Sequence, residues 1–247
     1  MSYQLSITAL KPQEVPSEDT IIALGKELID STATWKKGKT LAKGKVLTLS
    51  RPKGPGDGAP WHCRASEHTK EDATFDEFWG KLGVDKAENE KESVSSSAFI
   101  DGLTRITRFI EPIKKVARVK SISDTQSIWT LYYTFPPPVS PRVFTVLQTV
   151  HLVESSPKSG IIVSVPIDLS ADEELAKIEE KGVKGRYVSV ERLLELEDGK
   201  VEWRMATSSS PGGSIPLLCL RDEHAWPDSS RRHTFSQMVS RFARERT

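Results

Sequence analysis

Three metal-capable side chains, His62, Cys63 and His68, fall within the short stretch HCRASEH. A zinc site draws its ligands from Cys and His pairs whose spacing lets a turn fold them around one ion. Here the donors lie one and five residues apart on a segment that reads as a strand, which matches no common zinc pattern. No metal and no cofactor is expected.

GPGDG at 54–58 has the glycines of a phosphate cradle. It also holds Pro55, precedes no helix and lacks the Lys-Ser/Thr ending, so it reads as a surface turn. No G-x-S-x-G elbow occurs, and His62, His68, His151, His224 and His233 stand near no patterned nucleophile, which leaves a hydrolase little to rest on. Charge is concentrated on two later segments, where Arg186, Arg192, Glu202 and Arg204 sit on strands that also carry Val188, Val190, Trp203 and Met205. Facing solvent, such charges form a ladder worth under about 1 kcal/mol per pair. Facing inward, a Glu-Arg pair would orient a polar group of a ligand, because buried charges are normally paired.

The elements that carry these residues follow from local signals. Ser17, followed by Glu18 and Asp19, marks a helix start, and Ile21, Leu24, Leu28, Ile29 and Trp35 continue at helical spacing, so a helix is predicted over 17–34. Residues 45–69 read as a hairpin with a long turn-rich loop, and Thr74 with Glu77 makes a capping box for a second short helix. Residues 83–98 are polar and weakly patterned, and 105–123 alternate apolar with basic residues around Pro112. From 127 onward strands follow quickly: Trp129, Leu131, Tyr133 and Phe135 share one face, PPPVSP makes a rigid connection, and strands are predicted at 142–153 and 161–165. Ser170 with Glu173 predicts a helix at 171–181 closed by Gly182. Asp198-Gly199 then turns a hairpin between 187–196 and 201–207, giving roughly eight strands in all. At the end, Phe235, Met238, Val239 and Phe242 share one face of an arginine-rich helix in residues 231–247, suited to packing on its own sheet or to peripheral membrane contact.

A chain of 247 residues can form one large domain with a sizeable core. Its 35 Lys and Arg against 34 Asp and Glu leave no global field to draw it to nucleic acid, so no nucleic-acid partner is expected. Cys63 and Cys219 suit a reducing compartment, and there is neither a leader-like N-terminus nor a run of 18 apolar residues. A soluble, cytoplasmic protein is the expectation.

FPPPVSPRVFTVLQ, VSVPID, GRYVSVERLLEL and VEWRMATSSSPGGSIP, with HCRASEH and FDEFW upstream, are similar to a fungal START-like family of unknown function, DUF3074. The resemblance covers about residues 45–216 and implies an α+β helix-grip fold: a curved antiparallel sheet around a C-terminal helix, with a cavity for lipids or other apolar molecules between them. After residue 216 the sequence departs from the family's pattern, so the single domain is expected to carry an N-terminal helix in 1–35 and an atypical segment in 217–247. On this reading the chain is a non-catalytic binder or carrier of a hydrophobic small molecule, of lipid or sterol class. Trp129, Leu131, Tyr133, Trp203 and Met205 would form the wall, with Arg142 or Arg204 as polar anchor. Two alternatives stand beside it. One is a polyketide cyclase-like enzyme, for which the orientation of Tyr133 and His151 is diagnostic. The other is a membrane or protein adaptor acting through Arg231–Thr247.

Overall fold

The computed structural model describes residues 3–41, 44–84, 113–135 and 138–213. The predicted polar stretch after residue 84, Pro112 and the arginine-rich C-terminal helix fall outside these residues. Helix α1 spans Glu18–Ser31, and the Ser17 hydroxyl caps it by accepting from the Thr20 amide at 3.3 Å. Its helical stripe ends earlier than the spacing suggests. A 3-10 turn over Thr32–Thr34 follows, and Trp35 is already extended.

Strand β1 (Lys36–Leu41) is an addition to the sequence reading, as almost all its side chains are exposed and no apolar alternation betrays it. Strands β2 (Val46–Arg51) and β3 (Trp61–His68) form the predicted hairpin. Between them the Asp57 carboxylate accepts from the Gly54 amide, the Arg51 guanidinium and the Gln4 amide, at 2.7 to 3.1 Å. The GPGDG loop thus spends its local donors on its own aspartate.

Helix α2 (Phe75–Leu82) carries the predicted capping box, with Glu77 N donating to Thr74 Oγ1 and Thr74 N to Glu77 Oε2. Then come β4 (Ile113–Ser121), β5 (Gln126–Tyr133), β6 (Arg142–Val153) and β7 (Ser159–Pro166). Helix α3 is only Glu173–Ala176, and its cap is Asp172, whose carboxylate accepts from the Leu175 amide at 3.1 Å. Ser170 does not serve, because its own amide is drawn to Asp168. Two residues, β8 (Val183–Lys184), pair with β6 in parallel before β9 (Arg186–Glu195) and β10 (Val201–Ser210) close the sheet. Gly199, at φ 76°, supplies the left-handed position of their connecting turn.

All ten strands make one sheet, in the order β1-β2-β3-β10-β9-β7-β6-β5-β4 with β8 on β6. Apart from β8 every pairing is antiparallel. Period-two alternation then gives the sheet two chemically different faces. On the first lies α1, packed on β6, β7, β9 and β10, with Ile21 and Ile29 set among Leu147, Val163, Val165, Val190 and Ala206. Gly25 permits this close approach, since a Cβ there would sit 2.6 Å from Val163.

Candidate functional site

The opposite face holds the aromatic residues singled out by the sequence. Trp129, Leu131 and Tyr133 of β5 are buried there with Ile113, Phe144, Val146, Tyr187 and Met205. Tyr133 meets Phe144 edge-on at 5.5 Å between ring centroids, and Phe144 meets Tyr187 at 5.9 Å. Phe144 can lie so low because residue 185 is glycine: a Cβ there would stand 2.2 Å from the ring. The Arg118 guanidinium lies 4.7 Å over the Trp129 ring.

A second apolar group occupies the other end of the same face. Phe75, Leu193, Val201 and Trp203 are buried together, with Phe78, Trp79, Leu82 and Leu152 packed against them. Helix α2 delivers four of these, and Trp79 rests on Gly160, where a Cβ would come within 2.2 Å of the indole. His68 stacks on Phe78 at 4.9 Å and hydrogen-bonds Ser66 at 2.9 Å. Burial holds its imidazole below the ordinary histidine pKa.

Between the two groups the register builds a band that no single segment reveals. Ser50 of β2 pairs with His62, and His62 with Thr207. Thr207 pairs with Ser189, Ser189 with Ser164, Ser164 with Gln148, and Gln148 with Ser127 of β5. Seven polar side chains thus cross seven strands in one row on one face. Thr207, Ser189 and Ser164 are each 2 % exposed or less, and the hydroxyl oxygens of Ser164 and Thr207 have no hydrogen-bond partner among the described residues. One row further along, Glu191 is 1 % exposed and accepts a hydrogen bond from the Trp203 indole at 3.3 Å.

Arg142, the other expected anchor, is buried, and its guanidinium is occupied with the backbone carbonyls of Pro211 and Ser140. It ties the β5–β6 connection to the end of β10. Burial also lowers its pKa from the ordinary arginine value.

Arg204 requires a correction. Alternation along β10 turns it away from Trp203 and Met205 and onto the α1 face, where it donates to Thr32 Oγ1 and to Glu202, both at 2.7 Å. Arg192 joins Glu202 to Asp30 of α1 on the same side. These charges are neither a solvent ladder nor a ligand-orienting pair. They fasten α1 to the sheet.

His151 and Tyr133 lie on opposite faces, since His151 pairs with Ile161 of the α1-side core while Tyr133 belongs to the aromatic group. His62 and Cys63, as neighbours on one strand, also point to opposite sides. Cys63 is a free thiol in the α1-side core, pushed up to about 12 by burial. Among the described residues no group of three metal-capable side chains assembles. A pocket of about 20 Å³ lies beside Thr145, Asp168, Glu179 and Lys184, room for about one water.

Sequence reasoning found the aromatic strand but passed over Glu191, Ser164 and Thr207. Counting in twos from Tyr187 puts Ser189, Glu191 and Leu193 on its face, which was the available signal for the glutamate. The two hydroxyls gain meaning only from cross-strand register.

Solved structures with this architecture include the human StarD13 (DLC2) lipid transfer and protein localization domain, at a TM-score of 0.58 and 14 % identity over 94 % of this chain and 99 % of that one. Human StAR-related lipid transfer protein 5 is similar at a TM-score of 0.57 and 13 % identity, covering 92 % of this chain and 96 % of the other. Human STARD10 is similar at 0.55 and 10 % identity, over 92 % and 79 %. At such identities the likeness concerns the fold, which is the START-like helix-grip class with its large curved antiparallel sheet. No curated protein matches the chain. The family model described as a protein of unknown function, DUF3074, matches residues 61–225, from the start of β3 past the end of β10, and the chain belongs to that family.

Proposed function

We propose that the protein binds and carries a hydrophobic small molecule of the lipid class against the face of the sheet opposite α1. The observation that carries this reading is the composition of that face. Two groups of large apolar side chains, one around Trp129 and Tyr133 and one around Trp203, lie on the same side of one sheet. Apolar burial yields about 25 cal/mol per Å² and is non-directional, so such walls supply affinity while a few polar groups fix orientation. The START-like fold, shared with proteins named for lipid transfer, supports the reading further. Trp129, Leu131, Tyr133, Trp203 and Met205 are the wall on this proposal, and Arg142 acts by holding the end of the site rather than by touching the ligand.

A cyclase-like reading gains less support. It needs an acid and a base within hydrogen-bond reach, and Tyr133 and His151 are divided by the sheet itself.

Native mass spectrometry tests the proposal. Protein incubated with mixed-lipid vesicles and re-isolated should leave with one lipid per chain, and should move that lipid to acceptor vesicles. A clean unliganded mass together with no transfer would overturn it.

A further inference from the structure

The polar band narrows the ligand class, on the premise that the proposed site is used. A ligand with one polar end, such as a fatty acid or a sterol, is best served by a pocket whose polar groups gather at one end. Here they lie in the middle. Along the strand direction the face runs from the aromatic group of Trp129, Val146 and Tyr187, through the row of Thr207, Ser189 and Ser164, to Leu193, Val201 and Trp203. We infer that the ligand is a neutral lipid with two apolar arms joined by an oxygen-rich middle, as in a glycerol diester, and that the middle lies on the hydroxyls of Ser164 and Thr207.

Two observations carry this. The hydroxyls are each 1 % exposed and lack a hydrogen-bond partner among the described residues, although a buried hydroxyl without one is costly and almost always finds one. They also lie on strands two apart, with Ser189 between them, which separates them by roughly 9–10 Å at normal strand spacing. A single terminal hydroxyl or carboxylate cannot serve both, whereas the paired carbonyls and the hydroxyl of a diester offer several acceptors and a donor across such a span. The seven side chains of the band include no Lys or Arg to meet a phosphate, which suits an uncharged middle.

The test compares three probes on the full chain: dioleoylglycerol, dioleoylphosphatidate and cholesterol, each by displacement of a fluorescent lipid. Dioleoylglycerol should bind at least about tenfold tighter than either of the others, the scale of one or two hydrogen bonds. Thr207→Val is nearly isosteric and Ser164→Ala adds no volume. Each should weaken dioleoylglycerol about three- to tenfold, leave cholesterol unchanged, and leave the melting temperature of the lipid-free protein the same or higher, because an unpaired buried hydroxyl is removed. Phosphatidate binding as tightly as the diester would overturn the neutral middle. Unchanged diester affinity in both variants would assign the hydroxyls to water alone, as would cholesterol matching the diester, while leaving lipid carriage standing. Failure of all three probes to bind, with no lipid retained from vesicles, would remove both proposals.

Discussion

The two faces of this sheet use the same strands for opposite ends. On the α1 side charged groups clamp the helix to the sheet: Arg204 is held by Thr32 and Glu202, Arg192 by Glu202 and Asp30, and Thr32 in turn donates to the Ile29 carbonyl. Around them Ile21, Ile29, Val163 and Val190 are wholly buried. On the opposite side the Ser164 and Thr207 hydroxyls lie buried without a partner among the described residues, and Glu191 is buried against the Trp203 indole. A clamped apolar face yields stability, while hydroxyls buried in the middle of an apolar wall give some up, as groups at sites of function commonly do. The division makes a claim: damage to the α1 face should change stability and spare ligand binding, and damage to the other should reach ligand binding.

The largest expected effect probes the α1 face. Ile29 is fully buried between α1 and the sheet, so Ile29→Ala should cost about 2–5 kcal/mol of unfolding free energy in a denaturant titration. Lipid uptake by the fraction that remains folded should not change, and a loss of uptake there would break the division. Next, on the opposite face, comes Gly160→Ala. The added methyl would stand 2.2 Å from the Trp79 ring, so the indole and α2 must shift, at a cost of about 1–3 kcal/mol. Here uptake should fall along with stability, since α2 closes one end of the proposed wall.

What the sequence made legible, and what it did not, follows the same boundary. Period-two alternation correctly placed Trp129, Leu131 and Tyr133 together, and the limits of β6 match because Pro141 precedes it and Glu154 follows it. Both capping signals at Ser17 and Thr74 act as read. Strand β1 escaped because an edge strand paired on one side with exposed side chains needs no apolar pattern. Strand β8 escaped because two residues carry no period at all. Arg204 was grouped with its apolar neighbours although alternation separates them. The polar band was out of reach for a deeper reason: its members come from seven strands, and only the long-range register sets them in a row.

A smaller effect sharpens the α1 side through pH. Burial pushes the Glu202 carboxyl upward, yet hydrogen bonds from Arg204 and Arg192, with their charges, outweigh it and hold the pKa below the ordinary value of 4.5. A carboxyl depressed in the folded state stabilises fully above its unfolded pKa and loses that contribution as pH falls through the folded one. Stability should therefore be level near neutrality and decline below about pH 4.5. Glu202→Gln should lower stability by about 1–2 kcal/mol at pH 7, discounted because the site is only half-buried, and should flatten the acid decline. An unchanged acid limb in the variant would mean that other carboxylates, and not the clamp on α1, set acid stability.

The smallest effect separates the two helices. Helix α1 is 14 residues long and lies across four strands, whereas α2 is 8 residues long, packs chiefly on β9 and has only Phe75 fully buried. So short a helix is marginal without its packing and its cap, which makes it a candidate for opening on its own. Thr74→Ala removes a reciprocal cap and should cost about 0.5–1 kcal/mol, paid in local opening rather than global unfolding. Amide exchange should then accelerate several-fold across residues 75–82 while β6, β7 and β9 keep their protection, and lipid should enter and leave faster with its affinity little changed. Equal acceleration in the strands would instead join α2 to the same cooperative unit as α1, and α2 would cease to be an independently moving boundary of the opposite face.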